Sequence, residues 1–186
     1  VRVYQYSSDS WTQLGADIDG EANGDQSGYS VSLSSDGTIV AIGAINNDGT
    51  ANGAGHVRVY EYSSGLWTQL GADIDGEANG DQLGFSVSLS SDGTIVAIGA
   101  RWNDGGGTRS GHTRIYQYSS GLWTKLGADI NGEAAQDTAG LAVSLSSDGT
   151  IVAIGARDND GTADKAGHVR VYQYSSDSWT QLGADI

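Results

Sequence analysis

Four acidic side chains at alternate positions of one glycine-rich stretch are the first residues here that could do chemistry. Asp17, Asp19, Glu21 and Asp25 lie at offsets 0, 2, 4 and 8. The set returns as Asp73, Asp75, Glu77 and Asp81, and again as Asp129, Asn131, Glu133 and Asp137. Oxygen ligands presented at alternate positions by a flexible loop are what a hard cation such as Ca2+ requires. The spacing approaches an EF-hand loop without completing it, because no glycine follows the third ligand and no bidentate glutamate closes the set. Two readings stand: a Ca2+ site in each copy, the one cofactor the chain suggests, or a solvated acidic loop.

Three further sets recur or stand out. Asn47-Asp48-Gly49, Asn103-Asp104-Gly105 and Asn159-Asp160-Gly161 mark a second polar loop, and this is turn chemistry first. His56, His112 and His168 occupy one equivalent position before a strand. One imidazole per repeat cannot assemble a three-histidine metal site, so the expected role is a hydrogen bond to a turn. Trp102, flanked by Arg101 and near Arg109, departs from the pattern of the other tryptophans. An aromatic ring with cations beside it suits contact with a sugar or a partner protein, or local packing. No Gly-x-Ser-x-Gly elbow, phosphate loop or His-Glu-x-x-His occurs. Near-identical copies also offer no asymmetric set of nucleophile, base and acid, so the chain is expected not to be an enzyme.

The elements that position these residues follow from a strict internal repeat. Val1, Val57, Thr113 and Val169 fall 56 residues apart, and residues 169–186 repeat residues 1–18 letter for letter. The most constant stretch, residues 32–44, returns unchanged at 88–100 and 144–156. Repetition at such a period signals an array of like supersecondary units. Each period holds four strand-like segments, here residues 1–6, 11–14, 29–34 and 38–44. Tyr29, Val31 and Leu33 alternate with small serines, which would let a neighbouring sheet approach closely. Residues 38–44 are nearly all apolar, as in a strand covered on both faces. Asp36-Gly37 between them predicts a two-residue type I′ hairpin turn, and the Ser-Ser segments after 1–6 are turn-forming. Trp11, Trp67, Trp123 and Trp179 recur at a strand start and are expected to fill the gaps between units. Four strands per period, joined by hairpins and without helical periodicity, predict an all-β chain of four-stranded antiparallel β-propeller-type blades in tandem.

Composition bounds the partners. The 186 residues carry a net charge of −14, and there is no Cys, Met or Pro. Disulfides and thiolate chemistry are excluded. A field of this sign opposes binding to nucleic acid, whose phosphates need Lys and Arg. No apolar run reaches the ~18 residues of a membrane span, so insertion by this segment is not expected.

Gly84-Phe85-Ser86-Val87-Ser88-Leu89, then Ile95-Val96-Ala97-Ile98-Gly99-Ala100, then Gly111-His112-Thr113-Arg114-Ile115-Tyr116 resembles the FG-GAP repeat of integrin α-chain propellers. The chain departs from that pattern in its Gly-Tyr, Gly-Phe or Gly-Leu order and in lacking Pro after Gly-Ala. Where the family keeps a calcium loop, between the first two strands, this chain has Ser-Ser-Asp-Gly-Thr, too short for such a cage. The family's calcium ligands therefore do not carry over to Asp36, Asp92 or Asp148.

In this phasing residues 29–74, 85–130 and 141–186 are blades, and residues 1–18 are the outer two strands of a preceding blade. Such a count does not close a ring of the usual ~4 to 8 blades. The chain thus reads as a window on a larger propeller, an open superhelix or a filament. The expected function is that of a non-catalytic structural repeat protein, extracellular or at the cell surface, self-associating through neighbouring blades or copies. The alternative is an adhesin that recognises glycan or protein through its variable loops.

Overall fold

The computed structural model describes all 186 residues and is all-β. β1 (Tyr4–Ser7) and β2 (Ser10–Gln13) form a two-stranded sheet. β3 (Ser27–Leu33), β4 (Ile39–Ala44), β5 (His56–Ser63) and β6 (Leu66–Gln69) follow as one antiparallel sheet in sequence order, with short β7 (Ile74–Asp75) added beside the start of β5. The next sheet repeats this arrangement with β8 (Leu83–Leu89), β9 (Ile95–Ala100), β10 (His112–Ser119), β11 (Leu122–Lys125) and β12 (Ile130–Asn131). The last contains β13 (Ala139–Leu145), β14 (Ile151–Ala156), β15 (His168–Ser175) and β16 (Ser178–Gln181). The four sheets stand in tandem as propeller-type blades, with β1 and β2 matching β5 and β6 in sequence and pairing.

The apolar run of β4 is buried on both faces because a blade is covered on two sides. Val40 and Ile42 pack with Ile18 on one face. Ala41 points the other way and joins Val57 and Val59 against Leu89, Val96 and Ile98 of the next blade. The same layer recurs one blade on, where Ala97 and Ile115 meet Val152, Ile154 and Tyr172. Most of the stability of the array lies in these layers, since burying each large apolar side chain contributes roughly 1.5–3 kcal/mol.

The serines of β3 and β8 do more than leave room. Ser30 Oγ donates to the Gly84 carbonyl oxygen at 2.7 Å, and Ser86 Oγ to that of Gly140 at 2.8 Å. Ser32 Oγ accepts from Leu89 N–H at 3.0 Å, and Ser88 Oγ from Leu145 N–H at 2.9 Å. Adjacent blades are thus stitched along their inner strands by hydroxyl–backbone bonds, each worth about 0.5–1.5 kcal/mol. Gly43 and Gly99 make the approach possible: a Cβ at either would collide with the carbonyl of Gly84 or Gly140 in the following blade.

The turn assignment changes. Asp36 does not take a positive φ; only Gly37 does, at 73°. Gly37 N–H donates to the Ser34 carbonyl at 3.0 Å and Ser34 N–H to Ile39 O at 2.9 Å, a tight turn closed by a left-handed glycine. Asp36 Oδ1 holds it, accepting from Ser34 Oγ at 2.7 Å, Thr38 N–H at 3.0 Å and Thr38 Oγ1 at 2.8 Å. These donors on both sides stabilise the carboxylate in its charged form and tie the turn together with Gly37 as its one left-handed residue. The two-residue turns with positive φ at both positions lie elsewhere, at Ser8-Asp9, Ser64-Gly65, Ser120-Gly121 and Ser176-Asp177. There the adjoining pairs Ser7–Ser10 and Ser63–Leu66 fix the loop at two residues.

Candidate functional site

The acidic stretch enters the structure with partially shared partners: Asn47 Nδ2 donates to both Glu21 and Asp25, and Arg58 meets both Asp19 and Glu21. Asp17 accepts from Arg2 Nε at 3.0 Å and from Gln13 Nε2 at 2.8 Å. Asp19 offers its carbonyl oxygen to Arg58 Nη2 at 2.7 Å. Asp25 is buried and accepts from Ala22 N–H at 3.1 Å and from Asn47 Nδ2 at 3.0 Å. Asp81 and Asp137 repeat that role with Asn103 and Asn159. The Asn of each Asn-Asp-Gly also accepts from the glycine N–H two residues on, at 2.8 Å for Asn47 and Gly49. This polar pair buttresses one loop against the other. Asp75, in β7, pairs with His56 at the start of β5, and burial, reinforced by Asp73, pushes its carboxyl up. Asn131 gives its carbonyl oxygen to Arg170 Nη2 at 2.7 Å.

The remaining carboxylates converge on the histidines. Glu21 comes from the loop before β3, His56 opens β5, and Asp73 comes from the connection leading to β7. Their ligating atoms lie within 4.8 Å of one another. His56 is 1% exposed, and its Nδ1 stands 3.8 Å from Glu21 Oε2 and 3.6 Å from Asp73 Oδ2. That nitrogen is buried with no hydrogen-bond partner, so the expected bond to a turn is not made there. Burial, against the pull of Asp73, shifts the imidazole down from its usual range. Glu133, His168 and Asp185 repeat the set, with Nδ1 at 3.8 and 3.4 Å from the two carboxylates.

The middle copy differs in its arginine. Arg114 donates through Nε and Nη2 to both oxygens of Asp129, at 3.0 and 2.8 Å, and Nη2 also contacts Glu77. Lys125 Nζ adds a bond to Asp129 at 2.8 Å. Burial alone would raise the Asp129 carboxyl; the bonds from Arg114 and Lys125 outweigh it and bring it to about 2. His112 is lowered to about 4, by burial first and then by Arg114. In the outer copies the equivalent Arg58 and Arg170 reach backbone oxygens instead, and only Nη1 approaches the glutamate, at 3.6 and 3.5 Å.

Trp102, Arg101 and Arg109 are brought together. The Arg101 guanidinium lies between two rings, 4.0 Å from the Phe85 centroid and 4.3 Å from that of Trp102. Arg109 covers Trp102 at 5.1 Å, and Phe85 continues to Tyr29 of the preceding blade at 4.9 Å. Arg101 Nε is anchored on Gln82 Oε1 at 3.0 Å. Trp102 is half-buried and Arg109 exposed, beside a shallow polar cleft that Asn79, Asp104 and Thr108 also line. Such a stack presents a flat aromatic edge with two fixed charges. The histidine cluster, by contrast, was not visible as a set in the sequence. Its signal was a Glu 35 residues before each His and an Asp 17 after it, both in connections whose course the strand pattern left open.

Residues 72–116, from the end of one blade through β8 and β9 into β10, match the family model of the FG-GAP repeat. No curated protein sequence matches the chain. Among solved structures it is similar to a Bacteroides uniformis protein described as a 6-phosphogluconolactonase, with 13% identity and a TM-score of 0.64, over 100% of this chain and 48% of that one. It is also similar to the periplasmic gluconolactonase PpgL of Pseudomonas aeruginosa, at 14% identity and TM-score 0.57, over 98% of this chain and 51% of that one. The β-propeller domain of Myceliophteria thermophila Cps50 gives 10% identity and TM-score 0.51, over 87% and 39%. The chain spans about half or less of the length of these structures, and at such identities the likeness concerns the fold. Residues 72–116 are an FG-GAP repeat, set in a chain that folds as tandem β-propeller blades.

Proposed function

We propose that the chain is a non-catalytic structural propeller module, extracellular or at the cell surface, whose blades accept further blades of the same kind in a ring or a filament. The observation that supports this reading is a face of β3. Tyr29, Val31 and Leu33 are 47%, 54% and 49% exposed, whereas beneath the preceding blade their counterparts Phe85 and Val87 are half-buried and Leu89 is 7% exposed. At the other side, Val169 is 37% exposed where its equivalent Val57 is fully covered. Each open face is thus chemically the partner of the other, a heterologous pairing that generates rings when it closes and filaments when it does not. Electron microscopy of the native material tests this: rings or filaments built of like blades support it, and isolated particles without either count against it.

A second reading is supported by the stack of Phe85, Arg101, Trp102 and Arg109. It is a binding module that recognises glycan or protein through this variable loop, since rings with fixed charges bind partners of mixed character. A glycan array with Trp102→Ala as control tests it, and absence of binding by the intact protein would remove it.

A further inference from the structure

We propose that Glu21, His56 and Asp73, and their copies Glu133, His168 and Asp185, bind a divalent transition-metal ion of the zinc class at the start of β5 and of β15. The imidazole Nδ1 of His56 is buried without a hydrogen-bond partner and faces two carboxylate oxygens at 3.6 and 3.8 Å. These separations are too long for hydrogen bonds. They are close to the ~3.3–3.5 Å edge of a tetrahedron built on metal–ligand bonds of ~2.0–2.1 Å. In the second set His168 Nδ1 and Asp185 Oδ2 stand 3.4 Å apart, on that edge. A cation between these three atoms would give the unpartnered nitrogen and both carboxylate oxygens a common ligand, and imidazole with carboxylates selects zinc-like ions over Ca2+. Arg58 Nη1 approaches Glu21 Oε1, while Oε2 faces His56 and accepts only a long bond from Asn47 Nδ2 at 3.4 Å, which a metal ion would displace. Three protein ligands leave a fourth position for water or for a group on a partner.

The middle set, Glu77, His112 and Asp129, serves as an internal control. Arg114 there neutralises both carboxylates, so this set is closed to a metal ion.

The experiment is a Zn2+ titration of the metal-free full chain by calorimetry, with Co2+ absorption reporting nitrogen and oxygen ligation. Two equivalents are expected at micromolar concentration or tighter, with a tetrahedral Co2+ spectrum. Glu21→Gln combined with Asp73→Asn should remove one equivalent, leaving its residual affinity at least tenfold weaker. Glu21→Gln alone, at an exposed side chain, should weaken that equivalent if the double variant fails to fold. The melting temperature of the metal-free variants should stay near that of the parent. No uptake of Zn2+ by the wild-type chain, uptake unchanged by the variants, or a preference for Ca2+ over Zn2+ would each overturn the assignment.

Discussion

Trp67 Nε1 donates to the carbonyl oxygen of Leu14 at 2.7 Å, across the gap between one blade and the strand pair before it. Trp123 does the same to Leu70 and Trp179 to Leu126, both at 2.7 Å. Each indole also tilts against a tyrosine of its own blade, as Trp123 does on Tyr118 at 5.1 Å. Trp11 makes the tyrosine contact but is 69% exposed. Tryptophan therefore joins blades by a directed hydrogen bond as well as by filling space.

Trp123→Phe keeps the ring and removes the donor, leaving the Leu70 oxygen unpaired. The expected loss is about 1–2 kcal/mol. Trp11→Phe removes no inter-blade bond and should fall within about 0.5 kcal/mol of wild type. Urea denaturation of the two variants side by side checks the difference.

Gly99 and Gly155 occupy the same position in successive blades. A Cβ at Gly99 would meet the Gly140 carbonyl, whereas at Gly155 the nearest atom is Ala142 Cβ at 3.6 Å. Gly99→Ala should destabilise by about 2–3 kcal/mol through overpacking. Gly155→Ala should be close to neutral, and thermal melts of both proteins measure the contrast.

Stability should fall in two stages on acidification. His112 is lowered to about 4, so the unfolded chain takes up the proton first; the stability this represents is complete above the unfolded value of ~6.5 and is lost as pH falls from there through 4. It is on the order of 3 kcal/mol. Asp36 and Asp148 are lowered to about 2, Asp36 first by the Thr38 backbone N–H and Asp148 first by the Ser146 hydroxyl. Their contribution is present above the unfolded ~3.9 and is lost as pH falls towards 2. Melting temperatures from pH 7 to pH 2 report both stages, and His112→Gln should flatten the upper one.

Asp177 sits at φ 62° in a two-residue turn where the middle blades place Gly65 and Gly121. Asp177→Gly relieves left-handed strain and should stabilise by about 0.5–1 kcal/mol, read as a higher Tm.

Much of the fold was legible because it rests on alternation and repetition. Tyr29, Val31 and Leu33 against the serines, and the doubly apolar 39–44, place β3 and β4 as neighbours without reference to anything distant. The turns were less legible. Asp-Gly was read as the left-handed pair, but the Asp36 carboxylate found three local donors, and the Ser-Gly and Ser-Asp pairs took that geometry instead. At the site, Arg101, Trp102 and Arg109 stand within one loop, so proximity in sequence carried over to space. Glu21, His56 and Asp73 come together only through the path of two connections, and a linear pattern shows no such path. Reading the acidic stretch along its own length grouped Glu21 with Asp17 and Asp25; the fold ties Glu21 and Asp25 to Asn47 and sends Asp17 to Arg2 and Gln13.

Whether the open face of β3 accepts another blade is read from sedimentation of the chain over a range of concentrations. Concentration-dependent association of the wild-type chain is expected, abolished when Val31→Glu and Leu33→Glu place charges on that face. A wild-type chain that stays monomeric throughout, or a doubly charged variant that associates equally well, would contradict it.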